Sequence, residues 1–157
     1  MCILNISKPF VNVGNDMQFS KQQLKFFDHA AKIAMDSKFD VYHLGCVAVL
    51  KNKIVAASPN KLKTHPLQKM YDSYREFNCR SELKNMHSLH AEIACLNSLR
   101  YQNINYKDIE LYIVRIRRDG NFGLARPCVA CSQYIKNLGI HKIFYSTNHG
   151  YAYEEWI

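Results

Sequence analysis

Apolar residues recur along this chain with two different periods, and these periods predict its helices and strands. From Ser20 to about residue 39, apolar side chains fall at the three- and four-residue spacing of one buried helix face: Leu24, Phe27, Ala31, Ala34 and Met35. The runs "HLGCVAVL" and "KIVAAS" are typical of two strands, with "KN" at 51 and 52 as the turn between them. The first part of the chain is therefore predicted to be a helix followed by a β-hairpin.

Helices and strands alternate in the second half of the sequence. "SLHAEIACLNSL" predicts a helix with Ser88 as its N-cap, and "CVACSQYIKNLG" predicts one that ends at Gly139. "IELYIVRI" and "HKIFYS" are strand-like, "RRDGNFGLARP" is typical of a loop, and "YAYEEWI" predicts a last short strand. Because a parallel crossover needs about a dozen residues, that last strand is expected to lie antiparallel to "HKIFYS".

Strands joined through helices predict a mixed α/β sheet of about five strands with helices on both faces. A chain of 157 residues is long enough for one sizeable core and short for two. We therefore expect a single three-layer α/β/α domain over residues 1–157, with its core in about 20–157. Residues 59–86, with two prolines, several charges and several aromatic residues, predict at most a short helix.

Composition narrows the function classes. No apolar run approaches the ~18 residues of a membrane span, and no signal peptide is recognisable, so we expect a cytoplasmic protein with no membrane partner. In a reducing compartment, the six cysteines point to metal binding or burial, and Cys46 and Cys95, on apolar runs, are expected in the core. The net charge of +8 favours anionic partners: nucleotides, nucleic acid or acidic proteins.

Two cysteines at the start of a predicted helix carry the first candidate chemistry. Cys128 follows Pro127, and Cys131 follows one helical turn later, so the two thiols point the same way. Such a pair suits either a redox couple or a metal site. The redox interpretation is the weaker one, since no Trp precedes Cys128 and since it leaves the His-x-Glu of residues 90–92 unexplained.

His90 adds an imidazole to these two thiolates, and this set of donors suits Zn²⁺. Three protein ligands leave a fourth position for water, as in catalytic zinc sites, where the pKa of the bound water falls to about 7. Glu92 lies two residues after His90 on the same helical turn, and can therefore lie beside the water without binding the metal. We predict that Glu92 is the catalytic acid and base that moves protons in the reaction.

The combination of His-x-Glu with Pro-Cys-x-x-Cys is the signature of zinc deaminases. The sequence resembles the cytidine deaminase superfamily over roughly residues 45–145, with the elements in the family's order. The resemblance implies the cytidine-deaminase-like fold, a zinc cofactor, and hydrolysis that releases ammonia from an amino-bearing ring carbon. It also implies substrate contacts by Asn60, at the end of the second hairpin strand, and by the backbone N–H groups of Ala91 and Cys128.

The insert, residues 61–86, is longer than the corresponding stretch of the compact nucleoside enzymes. It is either a surface excursion packed by its own aromatic residues or a substrate lid that recognises sugar, phosphate or neighbouring nucleotides. His65 within it is a candidate substrate contact. Cys79 with His65 and His87 is a candidate second, structural zinc site, as some deoxycytidylate deaminases possess.

The sequence is compatible with three functions. The first is conversion of a cytosine-type base to uracil in a nucleoside or nucleotide such as cytidine, CMP or dCMP. The second is deamination of cytosine or adenine in single-stranded DNA or RNA, and the third is a non-catalytic zinc-binding module. The antiparallel ending resembles the free-nucleoside branch, whereas the His of "HAE" and the insert resemble the nucleotide and polynucleotide branches. The family usually assembles, so a homo-oligomer is expected, in which Tyr151, Tyr153 and Trp156 could bury against a partner.

Overall fold

The structure is a computed structural model, and it describes residues 19–38, 42–75 and 88–156. Its helices are α1 (Lys21–Met35), α2 (Pro66–Asp72), α3 (Ala91–Asn97) and α4 (Val129–Leu138), with short 3-10 turns at Ser73–Arg75 and Tyr106–Asp108. Its strands are β1 (His43–Leu50), β2 (Lys53–Pro59), β3 (Ile109–Ile116), β4 (Phe122–Gly123), β5 (Lys142–Thr147) and β6 (Gly150–Glu155). The predicted helices and strands are all present, and α2 is the short helix expected within residues 59–86.

These strands form one mixed sheet in the order β2-β1-β3-β5-β6. Among the described strands, only β3 and β5 run parallel, and α4 makes the crossover between them. The strand β6 pairs antiparallel with β5, as predicted. The sixth strand is β4, two residues that pair with the end of β3 inside the stretch predicted to be a loop.

The hairpin between β1 and β2 turns through Lys51 and Asn52. Both residues have a positive φ, 49° and 63° respectively. Two consecutive left-handed residues match the right-handed twist of the flanking strands, and Asn adopts this conformation more readily than most residues. The predicted two-residue turn is confirmed.

Successive side chains of each strand lie on opposite faces of the sheet, and they pack into two separate cores. Val47, Tyr112 and Phe144 pack with α1 on one face of the sheet. Cys46, Leu111 and Ile113 pack on the other face with residues of α3 and α4, and Cys95 of α3 is buried with them. Helices therefore cover both faces, which confirms the three-layer arrangement and the core positions of Cys46 and Cys95.

Two helix boundaries differ from the prediction. Ser88 is not the N-cap of α3, because Leu89 pairs with Lys61 as an isolated bridge and keeps residues 88–90 extended. His90 is the N-cap instead. The helix α1 ends at Met35, where Asp36 is the C-cap, somewhat before the predicted end.

None of the helices within the described ranges is long and apolar enough to cross a membrane.

The aromatic residues near the end of the chain pack within the chain itself. Trp156 is only 1% exposed. The ring of Tyr151 stacks on that of Phe27 at 3.9 Å between centroids, and Tyr153 lies 4.7 Å from Phe144. Trp156 therefore does not supply a surface for a partner, contrary to the expectation, and a homo-oligomer stays a prediction.

Gly45 is where α1 approaches β1 most closely. A Cβ at this position would lie 2.2 Å from the carbonyl oxygen of Ala30 and 2.5 Å from the backbone nitrogen of Ala34. Both neighbours are backbone atoms of α1, which cannot move without shifting the whole helix away from the sheet. The close packing of this layer therefore requires glycine.

We predict that Gly45→Ala lowers the free energy of unfolding by about 3 kcal/mol, because the added methyl group overpacks a fixed backbone contact. Gly120→Ala is the control, since Gly120 has a φ of +84° and a Cβ there would meet no described atom within 4 Å. Its cost should be the left-handed strain alone, about 1–2 kcal/mol. Denaturant unfolding measures both, and equal losses would contradict the predicted clash.

Candidate active site

The three predicted metal ligands come from the beginnings of two helices. His90 is the N-cap of α3 and Cys128 is the N-cap of α4, and neither side chain makes a capping hydrogen bond. Both side chains are therefore available to face each other. Cys131, one turn into α4, is fully buried and points to the same place.

The ligand atoms have the separations of a tetrahedral zinc site. The Nδ1 atom of His90 lies 3.5 Å from the Sγ of Cys128 and 3.3 Å from the Sγ of Cys131. Zinc bonds of about 2.0 Å to nitrogen and about 2.3 Å to sulfur place N and S about 3.5 Å apart in a tetrahedron. Within the described ranges this is the one group of three metal-binding side chains, with all ligand atoms within 4.8 Å of one another. The residues fit zinc.

Glu92 stands next to this group in the first turn of α3. Its side chain is almost entirely buried, and its Oε1 atom has no hydrogen-bond partner in the part of the chain that the structure describes. Burial raises the pKa of the Glu92 carboxyl group, although the nearby positive charge of His90 opposes this. A buried carboxylate oxygen without a partner is costly to the fold, and such groups are concentrated at functional sites.

The imidazole and the thiols influence one another's ionisation. A hydrogen bond from Cys131 holds the pKa of the Cys128 thiol well below its usual value, even though burial acts in the opposite direction. Burial raises the pKa of Cys131. Burial lowers the pKa of His90, but contact with Cys128 outweighs it, so this pKa is raised. A divalent cation would bind these groups in their deprotonated forms, so metal binding would release their protons.

A cavity of about 320 Å³ opens onto these residues. Its volume lies at the lower end of small-ligand pockets. Besides His90, Glu92 and Cys128, it is lined by Tyr42, Leu44, Asn60, Arg75, Ser88, Ala91, Arg115, Leu124, Ala125 and Arg126. Three arginines therefore surround a cavity that holds a buried carboxylate and two of the metal-ligand candidates.

The arginines are held in different ways. Arg126 donates from Nε and Nη2 to the two carboxylate oxygens of Glu154, at 2.7 and 3.1 Å. The guanidinium of Arg115 lies over the ring of Tyr42, 5.0 Å from its centroid. The Nε atom of Arg115 is buried without a hydrogen-bond acceptor among residues 19–38, 42–75 and 88–156.

Asn60 lines the cavity at the end of β2, as the sequence predicted for a substrate contact. Both ends of its amide already have protein partners: Oδ1 accepts from the hydroxyl of Ser37 and from the N–H of Leu44, and Nδ2 donates to the carbonyl of Tyr42 at 2.9 Å. These contacts tie the start of β1 to the end of β2. Asn60 thus shapes this wall, and its contact with substrate stays a prediction.

The other predicted substrate contacts differ in whether they line the cavity. Ala91 lines the cavity. His65 is not among the residues that line this cavity. It is the N-cap of α2, and its Nδ1 accepts a hydrogen bond from the N–H of Leu67 at 3.1 Å. Cys79 and His87, proposed with His65 as a second zinc site, lie outside the described residues.

Sequence reasoning missed Gln68, Arg75 and Arg126 as neighbours of the site. Gln68 and Arg75 belong to the insert, and Gln68 stands four residues before Asp72, the spacing of a helical side-chain pair. Arg126 directly precedes the Pro-Cys-x-x-Cys motif. These positions can be seen in the sequence, but only the fold shows which of the side chains lie next to the site.

The site defines a class of protein: a metal-dependent enzyme with one imidazole and two thiolate ligands and a buried carboxylate alongside. Comparison with known families is more specific. Residues 20–147 match the family model described as the cytidine and deoxycytidylate deaminase zinc-binding region. The chain belongs to this family, and it is a zinc-dependent hydrolytic deaminase.

Solved structures agree with this fold. The dCMP deaminase from the cyanophage S-TIM5 in its apo form has a TM-score of 0.54 at 18% identity, over 82% of this chain and 86% of that chain. The same enzyme in complex with dCMP and dUMP has a TM-score of 0.51 at 21% identity, over 81% and 83%. No curated protein matches the sequence.

We predict that the purified protein contains one zinc ion per chain, and that His90→Ala, Cys128→Ser and Cys131→Ser each lose it. Removing one of three protein ligands leaves too few donors to hold the ion. Metal analysis after gel filtration tests this, with Cys95→Ser as the control because Cys95 is buried outside the ligand group. Full zinc content in any ligand variant would contradict the assignment.

Proposed function

We propose that this chain deaminates the cytosine base of a pyrimidine nucleotide, with dCMP or CMP as substrate, water as co-substrate, and uracil nucleotide and ammonia as products. The observation that carries the proposal is the small cavity that joins the metal-ligand candidates and Glu92 to three arginines. Guanidinium groups recognise phosphate through paired hydrogen bonds. A solved enzyme of this fold is in complex with dCMP and dUMP, which supports the same class of substrate.

His90, Cys128 and Cys131 would hold the zinc ion, which supplies a Lewis acid that activates a water molecule. Glu92 acts as the proton carrier. Its carboxylate accepts a proton from the attacking water and delivers it to the ring nitrogen, then accepts a second proton from the hydroxyl group added to the ring carbon and delivers it to the departing amino group. The burial that raises the pKa of Glu92 suits this role, because a base with a pKa nearer neutrality can also give its proton back.

Other cavity residues would orient the base. The N–H of Ala91, at the start of α3, is proposed to face the ring carbonyl, with Asn60 forming the opposite wall. These groups need no rearrangement when the base binds, because they belong to the helix and the strand that also hold His90 and the cavity wall in place.

Arg115 is the proposed phosphate contact. Its Nε atom has no acceptor in the described parts of the chain, whereas Arg126 is already engaged by Glu154. A phosphate oxygen would satisfy this buried N–H, and the ring of Tyr42 would keep the guanidinium in place. A free nucleoside offers no anionic group to pair with the guanidinium.

A second candidate is a deaminase of single-stranded nucleic acid. Tyr42 is 47% exposed beside the cavity, and an exposed ring next to arginine can stack a neighbouring base. The net charge of +8 favours a polyanion as well. Turnover of deoxycytidine, cytidine, dCMP, CMP and single-stranded oligonucleotides, followed by chromatography of the products, separates the two. Turnover of oligonucleotides alone would overturn the nucleotide proposal.

We predict that Glu92→Gln lowers kcat by about 10²–10⁴-fold while zinc content stays at the wild-type level, because the amide fills the same space but cannot act as a base or an acid. The matched control is Glu155→Gln, a Glu on the exposed end of β6. If wild type and Glu92→Gln were equally inactive on every substrate while both held zinc, the chain would be a zinc-binding module and not an enzyme.

We predict that Arg115→Gln raises KM for dCMP by about 10-fold or more, the loss expected for one charge-assisted contact, and leaves deoxycytidine turnover nearly unchanged. Arg100→Gln is the control, since Arg100 also lies over a tyrosine ring, Tyr101, but does not line the cavity. Equal loss on the nucleoside and the nucleotide would assign Arg115 a structural role instead.

A further inference from the structure

We infer that Gln68, in the insert, is a positioning residue for the zinc-ligand candidate His90. The inference rests on the proposed function in that it concerns the same metal site. It follows from hydrogen bonds that run from α2 to the backbone of His90.

Gln68 is completely buried and uses both ends of its amide. Its Oε1 accepts a hydrogen bond from the N–H of His90 at 2.9 Å. Its Nε2 donates to Oδ1 of Asp72, one helical turn later, at 2.8 Å. An amide can be reversed only if both partners change roles, which a backbone N–H and a carboxylate cannot do, so the orientation of Gln68 is fixed.

The bond to the backbone matters because His90 is the N-cap of α3. Backbone N–H groups at a helix start have no partner within the helix, and a buried one needs an acceptor from elsewhere. Gln68 supplies that acceptor and so fixes the residue whose side chain must reach the two thiols. A shift of this peptide would carry Nδ1 out of the 3.3 Å and 3.5 Å contacts with Cys131 and Cys128.

The same network reaches the other side of the imidazole ring. Arg75, held near Asp72 by a 3.5 Å contact, places Nη1 3.4 Å from Nε2 of His90. Nε2 is the second ring nitrogen and carries the proton when Nδ1 is the metal ligand, so this is a packing contact between two donors and not a hydrogen bond. The groups surrounding a metal-bound histidine set its orientation, and loss of such a partner typically lowers metal affinity 10–100-fold.

The helix that carries Gln68 is anchored to the second ligand-bearing helix. The hydroxyl of Tyr71 accepts from Nδ2 of Asn137 in α4 at 3.0 Å, and its ring meets that of Tyr134 at 5.0 Å. At the base of the insert, the N–H of Lys61 bonds to the carbonyl of Leu89. The described part of the insert, residues 61–75, therefore contacts both α4 and the residues just before α3, and a role of the insert as a substrate lid stays a prediction.

Gln68→Met tests the inference, since it keeps the side-chain length but removes both hydrogen bonds. Tyr71→Phe is the matched control: it removes one partly buried hydrogen bond from the same helix without touching the path to His90. The measurements are the rate of zinc transfer to a chromophoric chelator and the visible spectrum of the cobalt-substituted protein, with thermal unfolding followed in parallel. Gln68→Met should release zinc about 10-fold faster or more and change the cobalt spectrum, while Tyr71→Phe should leave both at wild-type values.

Gln68→Ala is the second variant, in case Gln68→Met fails to fold. It removes the same two hydrogen bonds with a smaller side chain that favours the helix, so zinc release should accelerate by a similar factor. Release rates equal to that of Tyr71→Phe in whichever variants fold would overturn the inference while the proposed function stands. Absence of zinc from the wild-type protein would instead overturn the proposed function.

Discussion

The meeting of two helix beginnings at one point is the constraint on which this protein's chemistry depends. His90 and Cys128 are both N-caps whose side chains make no capping hydrogen bond, so each is free to turn toward the other. That arrangement needs α3 and α4 on the same face of the sheet, and the parallel pairing of β3 with β5 puts them there. The sheet therefore determines where the metal ligands meet.

The opposite layer has a supporting role. The helix α1 presses on β1 at Gly45 and fills its face with aromatic residues stacked around Tyr112 and Phe144. The active-site face carries the polar groups, and each of these has to be held by a hydrogen bond or left as a functional group. Two cavity residues are left over: the Nε atom of Arg115 and the Oε1 oxygen of Glu92 lack a hydrogen-bond partner among the described residues. The cost of that oxygen is borne by a well-packed fold around it.

Local features could be predicted from the sequence, whereas features that depend on contacts between distant segments could not. The hairpin turn, the end of α4 at Gly139 and the two motifs depend on neighbouring residues only, and the structure agrees with them. Ser88 failed as an N-cap because Lys61, far away in sequence, holds Leu89 extended. For the same reason, the sequence showed neither that Asn60 is engaged by Tyr42 and Leu44 nor that Gln68 reaches His90.

The ion pair between Arg126 and Glu154 has a consequence for how the site is assembled. Arg126 is two residues before Cys128, but its partner lies in β6, 28 residues further along the chain. While the protein is being synthesised, the helices that carry the ligands emerge before Glu154, the carboxylate that Arg126 binds in the folded protein. The cavity wall next to Cys128 takes its final form only after the last strand has left the ribosome and paired with β5.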